Sequence, residues 1–242
     1  MERWAAFPTW WVRDGLLRRL DAASATTGAH IAALKVYLAV AIVSDYVTRS
    51  AEISVTQLQV VTGLSRPMVT AGTAVLEKIE VLAVNRSGYR NTYSLLQASD
   101  QVHWMKIPVS AIRLRLKDLP NATASGLAAM KLLLVLLTTR QRRSHEAPIS
   151  HRKLQKHTGV RPTMISKGIS HLIAHGLVRH ANKPAYTDAA GHPVNTYYLL
   201  GIFSEGKDSA DDVAAGMPPS FEDDAEEDAQ EPGAAFLHRV LA

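Results

Sequence analysis

One segment of about thirty residues occurs twice in this chain, and the duplication restricts the possible fold more than any other feature. Residues 53–82 read ISVTQLQVVTGLSRPMVTAGTAVLEKIEVL, and residues 149–178 read ISHRKLQKHTGVRPTMISKGISHLIAHGLV. The two align without a gap at a spacing of 96 residues, pairing Ile53 with Ile149, Leu58 with Leu154 and Thr62-Gly63 with Thr158-Gly159. Met68, Gly72 and Leu76 likewise face Met164, Gly168 and Leu172. Upstream, Ala33-Leu34-Lys35 faces Ala129-Met130-Lys131 at the same spacing. Downstream, Asn91-Thr92-Tyr93 faces Asn195-Thr196-Tyr197 after eight inserted residues. A repeat of roughly a hundred residues is domain-sized, so the expectation is two like domains, 1–100 and 101–203, and not a solenoid.

Within each copy the local signals spell a helix, a tight turn, a second helix and a two-stranded ribbon. Ser54 and Ser150 precede helical patterns and can accept a backbone N–H there, as can Ser65 before the second helix of the first copy. Gly63 and Gly159 supply the turn that brings two helices across each other. Pro67 and Pro162 fall in the first turn of the second helix, where a missing N–H costs nothing. Val69, Gly72, Thr73 and Leu76, and in the second copy Ile165, Gly168, Ile169 and Leu172, recur at helical spacing and mark the inward stripe. Ribbon strands are expected at 82–85 and 91–96, and at 177–181 and 195–200, with a longer excursion between the second pair.

Ahead of each unit stands a helix that is apolar on nearly every face and therefore central. The first is expected at 28–49, capped by Thr26-Thr27, and the second at 124–142. The second ends in Arg140-Gln141-Arg142-Arg143, cations that suit a helix C-terminus and reach a nearby phosphate. At the N-terminus Trp4, Phe7, Trp10 and Trp11 precede Leu16, Leu17 and Leu20. This reads as a short amphipathic helix packed on the first domain, or else as aromatics left exposed for a dimer contact.

Charge separates the copies. Residues 1–100 carry a net +2, residues 101–203 a net +12 and residues 204–242 a net −9, which sum to the overall +5. A small domain so basic points to a polyanionic partner, since an ordinary solvated surface mixes both signs. The outward face of the second copy's second helix holds Arg161, Thr163, Ser166 and Lys167, with Ser170 at its margin. These donors suit base edges and phosphates in a major groove. The preceding helix adds His151, Arg152, Lys153 and Lys156, which suit the DNA backbone. The corresponding face of the first copy, Arg66, Met68, Thr70 and Ala71, is poor in donors. Arg86 and Arg90 in the first ribbon, and Arg179 and Lys183 in the second, occupy the places from which a ribbon tip reaches nucleic acid.

Both copies resemble the winged helix-turn-helix family, over about 190 of the 242 residues. The resemblance rests on Ile-Ser-x-x-x-Leu-x-x-x-Thr-Gly-hydrophobic, then an apolar-striped helix and a ribbon, each found twice. It implies a mainly α fold with small β wings, and a protein that binds double-stranded DNA at specific sequences. A transcription regulator is the first expectation and a plasmid or mobile-element replication initiator the second. In such initiators one winged helix dimerises and the other reads DNA. A third reading uses winged helices to bind protein. A homodimer is expected.

Residues 204–242 differ in kind. The acidic run 222–228 sits among Gly, Pro, Ala and Ser, a composition that cannot bury a core, so a disordered acidic tail is expected. The apolar end, 234–242, reads either as a docking peptide for a protein partner or as a frayed helix. There is no cysteine, so neither disulfides nor thiolate zinc sites are possible, and a cytoplasmic location is expected. The N-terminal sequence has no apolar run followed by a cleavage site. Lys35, Asp45 and Lys131 interrupt the longest apolar runs before the roughly 20 residues a membrane span needs, so no membrane partner is expected. His171 and His175 are four apart, a spacing that can bind zinc, but no third ligand is placed beside them. His175 before Gly176 also suits a helix C-terminus. No Gly-rich phosphate loop is present and residues 1–203 hold only 11 carboxylates, so no enzyme, metal or cofactor is expected.

Overall fold

The computed structural model describes residues 4–88, 90–97, 104–141, 146–180, 186–187 and 193–199, all within one compact unit. Both repeats follow the same element order, with two further short strands inserted late in the second. The first comprises β1 (Trp4–Pro8), α1 (Trp10–Arg13), a 3-10 turn (Leu16–Arg19), α2 (Thr27–Ala41), β2 (Ser50–Glu52), α3 (Val55–Thr62), α4 (Arg66–Lys78), β3 (Leu82–Asn85) and β4 (Thr92–Leu95). The second comprises β5 (Trp104–Pro108), α5 (Val109–Arg115), a 3-10 turn (Leu116–Asp118), α6 (Ala124–Thr139), β6 (Glu146–Pro148), α7 (His151–Thr158) and α8 (Pro162–Ala174). It closes with β7 (Val178–His180), β8 (Tyr186–Thr187), β9 (Pro193–Val194) and β10 (Thr196–Leu199). Each repeat builds a three-stranded antiparallel sheet, β2-β4-β3 and β6-β10-β7. The architecture is mixed α and β, with helices outweighing small sheets. No helix among the described residues is long and apolar enough to cross a membrane.

The two apolar helices, α2 and α6, touch each other and form the centre. From Ile31 to Ala41 every residue of α2 is buried, and so is every residue of α6 from Gly126 to Thr138. Each carries its own repeat's second helix on its back. A Cβ added at Gly72 of α4 would lie 2.6 Å from the carbonyl carbon of Ala32, and one at Gly168 of α8 would lie 3.0 Å from the nitrogen of Ala129. Glycine at the matched positions is what lets the helix pairs approach so closely.

Both central helices are shorter than their apolar content predicts. α2 stops at Ala41, and in the turn that follows the Asp45 carboxylate captures the N–H groups of Val47 and Thr48 (2.9 and 2.8 Å) and Arg49 turns to a φ of 57°. Such local side-chain bonds compete with the helix ladder. α6 stops at Thr139, and Arg140 adopts an extended conformation. Its guanidinium turns inward to donate to the Lys106 carbonyl at 3.0 Å, and the residue is buried, so Arg140 belongs to the core and not to a phosphate-facing end. Arg142 and Arg143 lie outside the described residues.

The N-terminal stretch corrects the expected amphipathic helix. Pro8 and the left-handed Gly15 (φ 72°) divide it into a strand, one turn of helix and a 3-10 turn. β1 pairs antiparallel with β5 of the other repeat, and the register is symmetric: Trp4 with Pro108, Ala6 with Lys106, Pro8 with Trp104. Phe7 and Trp11 are fully buried and pack edge-on against Tyr37 of α2, at 5.5 and 4.8 Å between ring centroids. Trp4 stays partly exposed.

The 3-10 turns are exchanged between repeats. Leu16–Arg19 packs on α7 and Leu116–Asp118 packs on α3. A buried lysine sits at the end of α3 and of α7, and Lys35 also bonds across to the other repeat. Lys35 Nζ donates to the carbonyls of Thr62 (3.2 Å) and Leu119 (2.7 Å) and to Asn121 Oδ1 (2.6 Å). Lys131 Nζ donates to the Thr158 carbonyl at 2.8 Å. The positive end thus sits on the carbonyls that terminate α3 and α7, where helix ends need both donors and cations. Burial pushes both amines down to about 8. A single hydrophobic core runs through both repeats.

Candidate nucleic-acid interface

The second repeat's helix pair is built by backbone chemistry that its sequence spells out. Ser150 Oγ accepts the N–H of Lys153 at 3.2 Å and starts α7. Gly159, left-handed at φ 66°, ends it. Thr158 Oγ1 accepts the Val160 N–H at 3.1 Å and stiffens the turn. Arg161 occupies the N-cap position of α8 with an extended backbone, and Pro162 follows as the first helical residue. Ile165, Gly168, Ile169 and Leu172 are all buried against α6, which fixes the roll of α8. The opposite face is therefore presented outward: Arg161, Thr163, Ser166, Lys167 and Ser170 are all exposed. Ser170 donates its hydroxyl to the Ser166 carbonyl at 3.0 Å. On α7, His151, Arg152, Lys153 and Lys156 are exposed as well. Neither α7 nor α8 carries an acidic side chain.

The histidines of this repeat serve different neighbours. His151 Nε2 lies 3.1 Å from Tyr197 Oη, and the His180 ring packs edge-on against the same tyrosine. Burial pushes the Tyr197 phenol up to about 12. His157 is held below its ordinary value by burial, and the charges of Lys156, Lys153 and Arg13 act in the same direction. His175 closes α8 with its backbone N–H on the His171 carbonyl. His171 turns the other way, with Nε2 3.1 Å from Ser125 Oγ at the start of α6. Around that contact lies a shallow, largely open depression of about 460 Å³, lined by Ser125, Ser166, Lys167, Ser170, His171 and Ala174. Sequence reasoning did not place Ser125 or His171 beside this face. The matched spacing of α6 and α8 in the two repeats was the signal that could have done so.

The first repeat repeats the scaffold with different surface chemistry. Ser54 forms a reciprocal capping box with Gln57, at 3.1 and 3.0 Å. Ser65 takes the N-cap position of α4 but makes no side-chain cap bond, and Thr26 before α2 makes none either. On α4, Arg66 and Thr70 are exposed, while Met68 and Ala71 are half-buried. Thr70 donates to the Arg66 carbonyl at 3.1 Å.

The ribbon cations are not equivalent. Arg86 makes a bidentate pair with Glu77 of α4, at 2.9 and 2.7 Å, so its guanidinium is already engaged within the chain. Arg90 is exposed. Arg179 on β7 is exposed and its guanidinium lies 5.0 Å from the centre of the Tyr198 ring, which orients it across the sheet. Lys183 lies outside the described residues, as does the whole acidic segment 204–242.

Comparison of the chain with protein-family models, with curated proteins and with solved structures gave no match.

Proposed function

We propose that this chain binds double-stranded DNA at specific sequences and acts as a transcription regulator, each repeat serving as a winged helix. The observation that carries the reading is the outward face of α8. Arg161, Thr163, Ser166 and Lys167 are exposed on a helix without acidic residues, and a glycine-mediated contact with α6 sets its roll. A short helix of this kind fits a major groove, where arginine and hydroxyl donors meet base edges. Arg152, Lys153 and Lys156 on α7 meet the flanking phosphates, and Arg179 meets them from the ribbon. The first repeat, with Arg86 engaged by Glu77 and an α4 face poor in donors, makes weaker DNA contacts or mediates self-association.

The test is capture of fragmented genomic DNA by the full chain at two salt concentrations, followed by sequencing. Sharp sites that survive the higher salt support a sequence-specific reader. Uniform capture that vanishes with salt refutes specificity, because counterion release alone produces that pattern. Palindromes near promoters favour the regulator, and tandem direct repeats at an origin favour a replication initiator.

A further inference from the structure

We infer that the depression between α6 and α8 is a seat for one backbone phosphate of bound duplex DNA, an inference that rests on the DNA-binding reading above. Its polar lining is the Lys167 ammonium and the Ser166 hydroxyl, beside the Ser170 hydroxyl that donates to the Ser166 carbonyl and the bonded pair His171 and Ser125, with Ala174 at the edge and no carboxylate. Ser166 and Lys167 belong to the exposed face of α8. The contact between His171 Nε2 and Ser125 Oγ joins the start of α6 to that face, so both helices contribute.

The duplicated fold provides an internal control. At the 96-residue spacing, Ser125, Lys167, Ser170 and His171 correspond to Ala29, Ala71, Ala74 and Val75, while Ser166 corresponds to Thr70 and Ala174 to Lys78. The same helix pair, packed through the same glycine, is therefore lined mainly by alanine and valine in the first repeat. Helix packing at this crossing does not require polar residues. Their concentration in the second repeat, beside the donors of α8, is explained by an anionic ligand that this repeat meets and the first does not. A phosphodiester oxygen presents only acceptors, which the Lys167 ammonium and the Ser166 hydroxyl on this wall can meet.

The test grafts the first repeat's residues into the second. The quadruple variant S125A/K167A/S170A/H171V takes side chains that the equivalent helix pair already accommodates, and a thermal melt checks that it folds. Binding of a random-sequence duplex is measured over a salt series for the wild type, the quadruple variant, K167A alone and S125A/H171V. The expected result is a loss of about tenfold in affinity for the quadruple variant, with the salt slope lowered by about one. S125A/H171V, which removes no lysine, should lose about threefold. If S125A/H171V binds as the wild type does and only K167A weakens binding, the seat is overturned and Lys167 acts alone. If millimolar inorganic phosphate raises the melting temperature of the wild type but not of the quadruple variant, and both bind DNA equally, the depression serves free phosphate and the proposal also fails. If the wild type shows no salt-dependent affinity for duplex DNA, the DNA-binding reading falls and takes the seat with it.

Discussion

Replacing Gly72 by alanine tests the geometry on which both repeats depend. The new Cβ would sit 2.6 Å from the Ala32 carbonyl carbon, 2.7 Å from the Ala33 nitrogen and 2.9 Å from the Ala32 oxygen. Comfortable carbon contacts lie at about 3.5–4.0 Å, so the overlap is on the order of 1 Å. The atoms it meets are backbone atoms of a helix buried on every side, and no side chain can swing away. Overpacking of this kind costs about 1–3 kcal/mol, and the rigid partner puts Gly72→Ala at the upper end. Alanine gains about 1 kcal/mol over glycine in helix propensity, which leaves a net loss of about 2 kcal/mol. Gly168→Ala makes its closest contact, 2.7 Å, with the flexible end of Leu132, and its backbone contacts are at 3.0 and 3.1 Å, so its net loss should be below about 1 kcal/mol. Urea unfolding of the full chain reads the difference. With a slope of about 2 kcal/mol/M, Gly72→Ala lowers the midpoint by about 1 M and Gly168→Ala by less than half of that. A Gly72→Ala protein as stable as the wild type, or a Gly168→Ala protein that is the more damaged, would refute the close-contact argument.

Arg161→Ala should weaken binding to a selected site by about 1–3 kcal/mol and relax specificity at one base position, whereas equal losses on selected and random duplexes would limit Arg161 to a phosphate contact. Lys156→Ala should weaken binding on all sequences and lower the salt slope by about one, and an unchanged slope counts against a phosphate contact there. Lys35 and Lys131 release their protons near pH 8 when folded but near their ordinary 10.5 when unfolded. Between those values unfolding takes up protons, so stability should rise with pH by about 1.4 kcal/mol per unit for each lysine. Denaturant midpoints from pH 8 to 10 check this, and the rise should flatten in a Lys35→Met/Lys131→Met protein. Removing residues 204–242 takes away a net charge of −9, so a competing acidic tail predicts tighter binding to random duplex DNA at low salt, and unchanged affinity leaves the segment without that role.

Much of the helical scaffold was legible because its signals are local. The Ser54 and Ser150 caps, the Gly63 and Gly159 turns and the prolines at the start of α4 and α8 each act within a few residues. The buried stripes of α4 and α8 follow helical spacing, and β3 runs over the expected Leu82–Asn85. The misses involve partners far away in the chain. Trp4–Pro8 and Trp104–Pro108 share a Trp-x-x-apolar-Pro pattern, but at a spacing of 100 instead of 96, so a gap-free alignment passes over it. Neither segment has a strand partner nearby, and each becomes a strand by pairing with the other. Arg140 read as a helix-end cation because its acceptor, the Lys106 carbonyl, lies 34 residues upstream.

From sequence alone came the duplication, the element types of its helix pairs and the partition of charge, because periodicity, caps and net charge are properties of near neighbours. What only the tertiary structure decided is how the repeats use each other. The paired strands β1 and β5, the exchanged 3-10 turns and Lys35 commit one set of surfaces to a shared core. That commitment leaves the cationic face of α7 and α8 outward and brings Ser125 to His171. Contacts between residues tens of positions apart depend on how whole helices pack, and no local pattern encodes that.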